Sequence, residues 1–289
     1  MRRSAFFTSL IALVAMVQSC KEVGPNINLH GNGNSIGDTT YIESPVATAQ
    51  VKNVMIEEFT GVRCPNCPQG HQILATIKAA HPDHVVAMSM HPINSLGAPY
   101  NGLSVMDFRM QEVQDLFTGY YSNPGFEPCA GIDGQLFSGE TFVLIDKNKW
   151  ASKVDAQLTG TTPVNIELSK TYDSTNRQLT MVVELHYTQN VTEANKLTVG
   201  LIESGMVTAQ LNGSVIDTFY VHNDVLRSFI TANTGDALSQ TLEPGRVIRK
   251  VYQKVLDAAW KPENMKIVAY VHESQNSKAV YQAKELDVE

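Results

Sequence analysis

Cys64-Pro65-Asn66-Cys67 stands between segments of different periodicity, and that placement restricts the fold more than any other feature of the chain. Val51 to Thr60 reads as a strand, with Val54-Met55-Ile56 an apolar run suited to a buried central position. From about Gln69 to Ala80 the pattern is helical, with Ile73, Leu74 and Ile77 on one face, and His84 to Met90 reads as another buried strand. Strand, Cys-x-x-Cys, helix, strand is a context for redox chemistry. At a helix N-terminus the free N–H groups and the macrodipole favour negative charge, so Cys64 gains thiolate character there. Pro65 stiffens the turn, and Pro68 suits the first helical turn because its missing N–H costs little.

Only four cysteines, at positions 20, 64, 67 and 129, occur in 289 residues, too few for a disulfide-stapled scaffold. With 43% hydrophobic and 18% charged residues, the fold must rest on ordinary cores, and the length suggests about two domains. A formal net charge of −7 argues against a nucleic-acid binder. Met1-Arg2-Arg3 followed by the apolar run Ala5 to Val17 has the size of a signal-peptide core and is too short to span a membrane. Val17-Gln18-Ser19-Cys20 resembles the bacterial lipobox, although Gln18 departs from the small or aliphatic residue usual there. The resemblance implies residues 1–19 as a lipoprotein signal peptide and Cys20 as the site of acylation, palmitate included; a plain secretory signal with a chance cysteine is the alternative. Residues 20–50, rich in Gly, Asn, Ser and Thr, read as a flexible tether.

The stretch around the cysteine pair resembles the thioredoxin-like superfamily. The resemblance implies an α/β thioredoxin-like domain over residues 51–160, with Cys64 attacking, Cys67 resolving and Glu58 accepting a proton. A solvated strand-end carboxylate is the alternative for Glu58, and more so for Glu57. The same resemblance implies a cis-proline loop against the sulfurs, with Pro128 favoured over Pro124. The excess length before it is assigned to an added helix from Ser104 to Phe117. Cys129 has three readings: a buried apolar thiol, a third redox thiol, or part of a metal set. Cys64, Cys67, His71 and Cys129 resemble a zinc or copper site, but the favoured reading has no metal and no cofactor. His81, His84 and His91 read as surface or strand-end histidines.

A helix over about Asn148 to Leu158 closes the first domain, and Gly160-Thr161-Thr162-Pro163 breaks the chain. From there the period is two: Val164, Ile166 and Leu168; Leu179, Met181, Val183, Leu185 and Tyr187; Leu197, Val199 and Leu201. Residues 161–289 therefore read as an all-β, immunoglobulin-like sandwich. The segment from Tyr220 to Arg227 is distinctive, its bland reading being an edge strand with a packed histidine. Together with the lipobox, the Phe59–Cys67 segment and the closing Ile267–Ala283 segment, it resembles the twenty-eight-kilodalton outer membrane protein family of lipoproteins. That resemblance implies an outer-membrane, lipid-anchored protein facing the periplasm or the surface. Two functions compete: a thiol–disulfide oxidoreductase acting on protein thiols or disulfides, and a non-enzymatic lipoprotein with a static disulfide that binds a surface protein or glycan.

Overall fold

The structure, a computed structural model, describes residues 37–289, so Cys20 and the signal peptide lie outside the described residues. β1 (Thr39–Ile42) falls inside the stretch read as a tether and pairs antiparallel with a late strand, Tyr41 opposite Val247. Its residues are all β-branched or aromatic, which favours a strand once an edge is available. The reading of all of 20–50 as a flexible tether is thus corrected at this strand.

Next come β2 (Val54–Phe59), α1 (Cys67–Ala80), β3 (Val85–Met90), α2 (Gln111–Asp115), β4 (Cys129–Ile132), β5 (Leu144–Asp146) and α3 (Trp150–Gln157). The added helix does not begin at Ser104. Asp107 folds back on Arg109, accepting from its backbone N at 3.0 Å and from its guanidinium, and this local bonding competes with a helical turn. Val105 N also donates to Thr208 Oγ1 at 3.0 Å, which holds the segment extended against the second half of the chain.

That second half is almost all strand: β6 (Val164–Asp173), β7 (Gln178–Tyr187), β8 (Asn195–Glu203), β9 (Met206–Val207), β10 (Gln210–Asn212), β11 (Val215–Asp217), β12 (Val221–His222), β13 (Val225–Phe229), β14 (Asp236–Ala237), β15 (Arg246–Val255), β16 (Met265–Glu273) and β17 (Val280–Asp287). The strands form a large mixed sheet in the order β17-β16-β8-β13-β3-β2-β4-β5, with β14 on β8, and a four-stranded sheet β1-β15-β7-β6. Residues on both sides of position 160 therefore share one sheet. They meet where β13 runs parallel to β3: Val225 lies opposite Ser89, and Ser89 N donates to Asp224 O at 2.7 Å.

The four-stranded sheet packs on the β8–β16 end of the large one. Val183, Leu185, Ile248 and Tyr252 meet Leu197, Val199, Leu201, Ile267 and Ala269 there. At the other end α1 and α3 cover one face, where Leu74, Ile77, Trp150 and Val154 pack on Val54, Ile56, Ala87 and Ile132. Met55, Phe59, Met88, Phe117 and Tyr121 fill the opposite face.

β2 is buried at all six positions, including Glu57 and Glu58, which alternate to opposite faces. The solvated reading of these carboxylates is overturned. Glu57 accepts hydrogen bonds from Tyr121 OH and from Tyr270 OH, the latter at 2.9 Å, tying β2 to β16 through the core. Burial raises its pKa, and the two phenols oppose that rise. Tyr270→Phe should therefore leave a buried carboxylate oxygen unpaired and cost about 1–3 kcal/mol in urea denaturation. Because both phenols serve one carboxyl, the cost of Tyr121→Phe plus Tyr270→Phe should be non-additive.

Candidate functional site

α1 opens at Cys67, with Asn66 at the N-cap and Pro68 in the first turn. Cys64 and Cys67 are joined by a disulfide, their Cα atoms 5.4 Å apart. The Glu127–Pro128 peptide bond is cis, the other cis bond among the described residues being Ser44–Pro45, so Pro124 is not the loop proline. The Glu127 carbonyl oxygen lies 3.5 Å from Cys64 Sγ. Gly70 lets these parts close up: a β-carbon there would stand 2.9 Å from Pro128 Cγ and 3.1 Å from Glu58 Oε1. Cys64, Cys67, Pro128 and Glu58 are thus brought together around the first turn of α1.

Glu58 has no exposed surface. Its Oε2 accepts from Ser89 Oγ at 2.7 Å, while Oε1 has no hydrogen-bond partner. Burial pushes its pKa up to about 8, the Ser89 hydrogen bond opposes this, and the nearby Asp224 charge adds to it. Glu127, beside the cis bond, is pushed up to about 7 by burial, against a hydrogen bond from Asn94 Nδ2 at 2.6 Å.

The alternative metal set is not assembled in this oxidised structure. Cys64 and Cys67 are bonded to each other. His71 turns both ring nitrogens elsewhere, Nε2 to Thr60 Oγ1 at 2.9 Å and Nδ1 to Tyr220 OH at 2.8 Å. Cys129 is fully buried in the apolar cluster with Phe59, Met90 and Leu144. Burial, with the Glu127 and Glu58 charges adding to it, drives its thiol pKa strongly upward and suppresses thiolate formation. His81 pairs with Asp155 at 2.9 Å and His84 with Asn53 at 3.1 Å, both toward the surface. His91 stands at the end of β3 as a strand-end histidine but not at the surface: it is 1% exposed, packed against Phe108, and neither ring nitrogen has a partner. His222 from the distinctive Tyr220–Arg227 segment is packed beside it on β12, also without ring partners.

A feature the sequence does not signal is a cover over the disulfide. The β10–β11 hairpin docks on the cysteine loop, Leu211 N donating to Val62 O at 2.7 Å and Gly213 N to Pro65 O at 3.0 Å. Gln210 Nε2 donates to the Gly61 and Cys64 carbonyls, each at 3.2 Å. From the other side Arg63 reaches the Ala98 and Pro99 carbonyls at 2.7 and 2.6 Å. Gly61 is required here, since a β-carbon would stand 2.4 Å from Leu96 O. Cys64 is accordingly only 1% exposed and Cys67 has no exposed surface. Gln210 and Tyr220 lie almost 150 residues from the motif they serve, and only their nearness to the Tyr220–Arg227 segment hinted at them.

Between its ordinary value of 4.5 and about 8, Glu58 binds its proton more tightly in the folded protein than in the unfolded chain. Its contribution to stability is therefore full at low pH, falls as pH rises through that window, and is lost above it. Glu58→Gln should remove this slope: between pH 5 and pH 9 the wild type should lose a few kcal/mol relative to the variant in parallel denaturation curves.

Known proteins bear on the chain in three ways. The profile of the outer membrane protein Omp28 family matches residues 116–289, which include the cis-proline and every strand of the second half but not Cys64 or Cys67. None of the curated proteins matches. Among solved structures, HBP35 of Porphyromonas gingivalis superimposes with a TM-score of 0.63 at 20% identity, over 84% of this chain and 77% of that one. Protein AGR_C_4864 from Agrobacterium tumefaciens gives 0.51 at 12% identity, over 84% and 97%. A domain of the outer membrane lipoprotein Omp28 from Porphyromonas gingivalis gives 0.31 at 16% identity, over 44% and 88%. The first two likenesses concern the fold alone, and no helix among the described residues is long and apolar enough to cross a membrane. With its profile match spanning more than half the sequence, the chain belongs to the outer membrane protein Omp28 family.

Proposed function

We propose that this protein is a thiol–disulfide oxidoreductase acting on polypeptide thiols at the outer membrane. The exchanging unit is a thioredoxin-like domain over 51–160, joined to an immunoglobulin-like β-sandwich over 161–289 and anchored through acylated Cys20. The observation that carries the reading is the grouping of the Cys64–Cys67 disulfide at the start of α1 with cis-Pro128 and buried Glu58. In the oxidised form a thiolate of a dithiol substrate attacks Cys64 Sγ, and the S–S electron pair leaves on Cys67. Glu58 protonates that sulfur, and the substrate's second thiolate attacks the mixed disulfide, releasing Cys64. Cys64 leaves as a thiolate, so the substrate gains a disulfide and the protein a thiolate at Cys64 and a thiol at Cys67; run backwards, Cys64 is the attacking thiolate and Glu58 the proton acceptor. Exposed Val215, Ile216, Phe219 and Val221 around the hairpin offer an apolar margin suited to an unfolded polypeptide. Cys129, packed and hard to ionise, takes no part.

A second reading is favoured by one observation, the burial of both sulfurs under the hairpin. In it the disulfide is structural, and the protein binds a surface protein or glycan. The oxidised protein mixed with a dithiol peptide separates the two, with products read by differential alkylation and mass spectrometry. The first reading expects one peptide disulfide per protein, loss of at least ~100-fold in Cys64→Ser, and several-fold faster exchange in Gln210→Ala, which loosens the cover. No exchange in any of these proteins, with Cys64→Ser lowering only the melting temperature, would establish the second.

Cys129 should resist iodoacetamide in the folded protein and react only after denaturation. Cys129→Ala should cost about 1–2 kcal/mol of stability and leave the exchange rate within twofold.

A further inference from the structure

Glu58 is sealed from water, yet an acid that gives up a proton in each turnover must recover it. The distances mark one route. Its unpartnered Oε1 lies 3.8 Å from His71 Nε2, and the opposite ring nitrogen, Nδ1, is 2.8 Å from Tyr220 OH. Tyr220 is half-buried and, with His71, Pro68, Ser89 and Asp224, lines a cavity of about 310 Å³ beside α1. We propose that His71 and Tyr220 form the proton outlet of Glu58, so that the second half of the chain supplies part of the redox site of the first.

This inference rests on the oxidoreductase reading and deepens it. When Glu58 has protonated Cys67, the carboxylate closes the 3.8 Å gap to His71 Nε2 and takes its proton. His71 Nδ1 takes one from Tyr220 OH, and Tyr220 is reprotonated by water in the cavity. The imidazole changes tautomer and stores no charge, in keeping with a burial that lowers its pKa to about 3, helped by His222. Before Cys67 is next deprotonated, Glu58 empties along the same route in reverse, which restores the first tautomer. Thr60 Oγ1, 2.9 Å from His71 Nε2, both donates and accepts and so serves either tautomer.

The other titratable groups facing the route are few. Asp224 acts on Glu58 but is paired with Lys78 at 2.9 Å. The Cys129 thiol feels the Glu58 charge. His222 faces His71 with His91 behind it, both held neutral by burial. Glu58 and Asp217 push the Tyr220 pKa up, after burial itself, to about 12, so the phenol keeps its proton for relay.

His71 and Tyr220 act through Glu58 and are positioning residues, so the test reads Glu58 directly. The oxidised, full-length mature protein is moved into deuterated buffer at pH 6, where Glu58 is protonated. Its carboxylic-acid stretch, assigned as the infrared band absent from Glu58→Gln, is followed as it exchanges. His71→Gln keeps hydrogen-bonding ends but has no second tautomer, and Tyr220→Phe removes the outer hydroxyl. Each should slow exchange at least tenfold, the double variant no further, with amide protection of β2 unaltered. Wild-type exchange rates in either folded variant, or carboxyl exchange that follows amide opening in all of them, would overturn the outlet. No substrate is involved. A protein that fails to oxidise dithiols but shows the slowed band would instead overturn the oxidoreductase reading.

Discussion

Two backbone hydrogen bonds, from Leu211 to Val62 and from Gly213 to Pro65, fix the surroundings of the Cys64–Cys67 disulfide. They join a hairpin from the second half to the cysteine loop of the first, where both sulfurs are buried. Backbone pairing of this kind is indifferent to side-chain identity at most positions. Gly61 and Gln210 are the exceptions, the first because Leu96 O approaches too closely for any side chain, the second because its amide spans two loop carbonyls. Such a cover is held by a handful of hydrogen bonds, each net worth about 1 kcal/mol, so opening it needs no disruption of either core.

The strand beneath the loop is organised by alternation. β2 sends Glu57 to one face and Glu58 to the other, and the two carboxyls meet opposite circumstances. Glu57 is given two phenol donors and becomes a structural tie. Glu58 is given one hydroxyl and left with an oxygen facing an imidazole. A buried acid with incomplete hydrogen bonding is costly and is therefore a group whose proton can be put to use.

Much of this was legible in the sequence, for reasons that also mark where legibility ends. Local patterns reported local structure: Val54-Met55-Ile56, the helix after Cys67 and the alternation of Leu179 to Tyr187 each correspond to an element of the expected kind. The gathering of Cys64, Cys67, Glu58 and Pro128 followed from a family resemblance, since nothing in the spacing of Pro128 by itself brings it to the sulfurs. Non-local facts were hidden. Glu57 and His91 are polar letters in apolar surroundings, and only tertiary packing reveals that they are inside. β1 is four ordinary residues in a polar stretch and becomes a strand because β15 offers it an edge. The hairpin over the disulfide and the approach of Tyr220 to His71 depend on how the two halves meet, which periodicity does not encode.

The parallel seam between β3 and β13 has a consequence for how the protein can be made and dissected. Along it the large sheet changes from one segment of the chain to the other through little more than Val225 beside Ser89 and one bond from Ser89 to Asp224. Cutting the chain near residue 160 would strip β3 of that neighbour and bare the flank of a buried, apolar strand, the kind of surface that recruits other chains into aggregates. Until β13 is in place the first half carries an open strand flank along β3, and it is the second half that covers it.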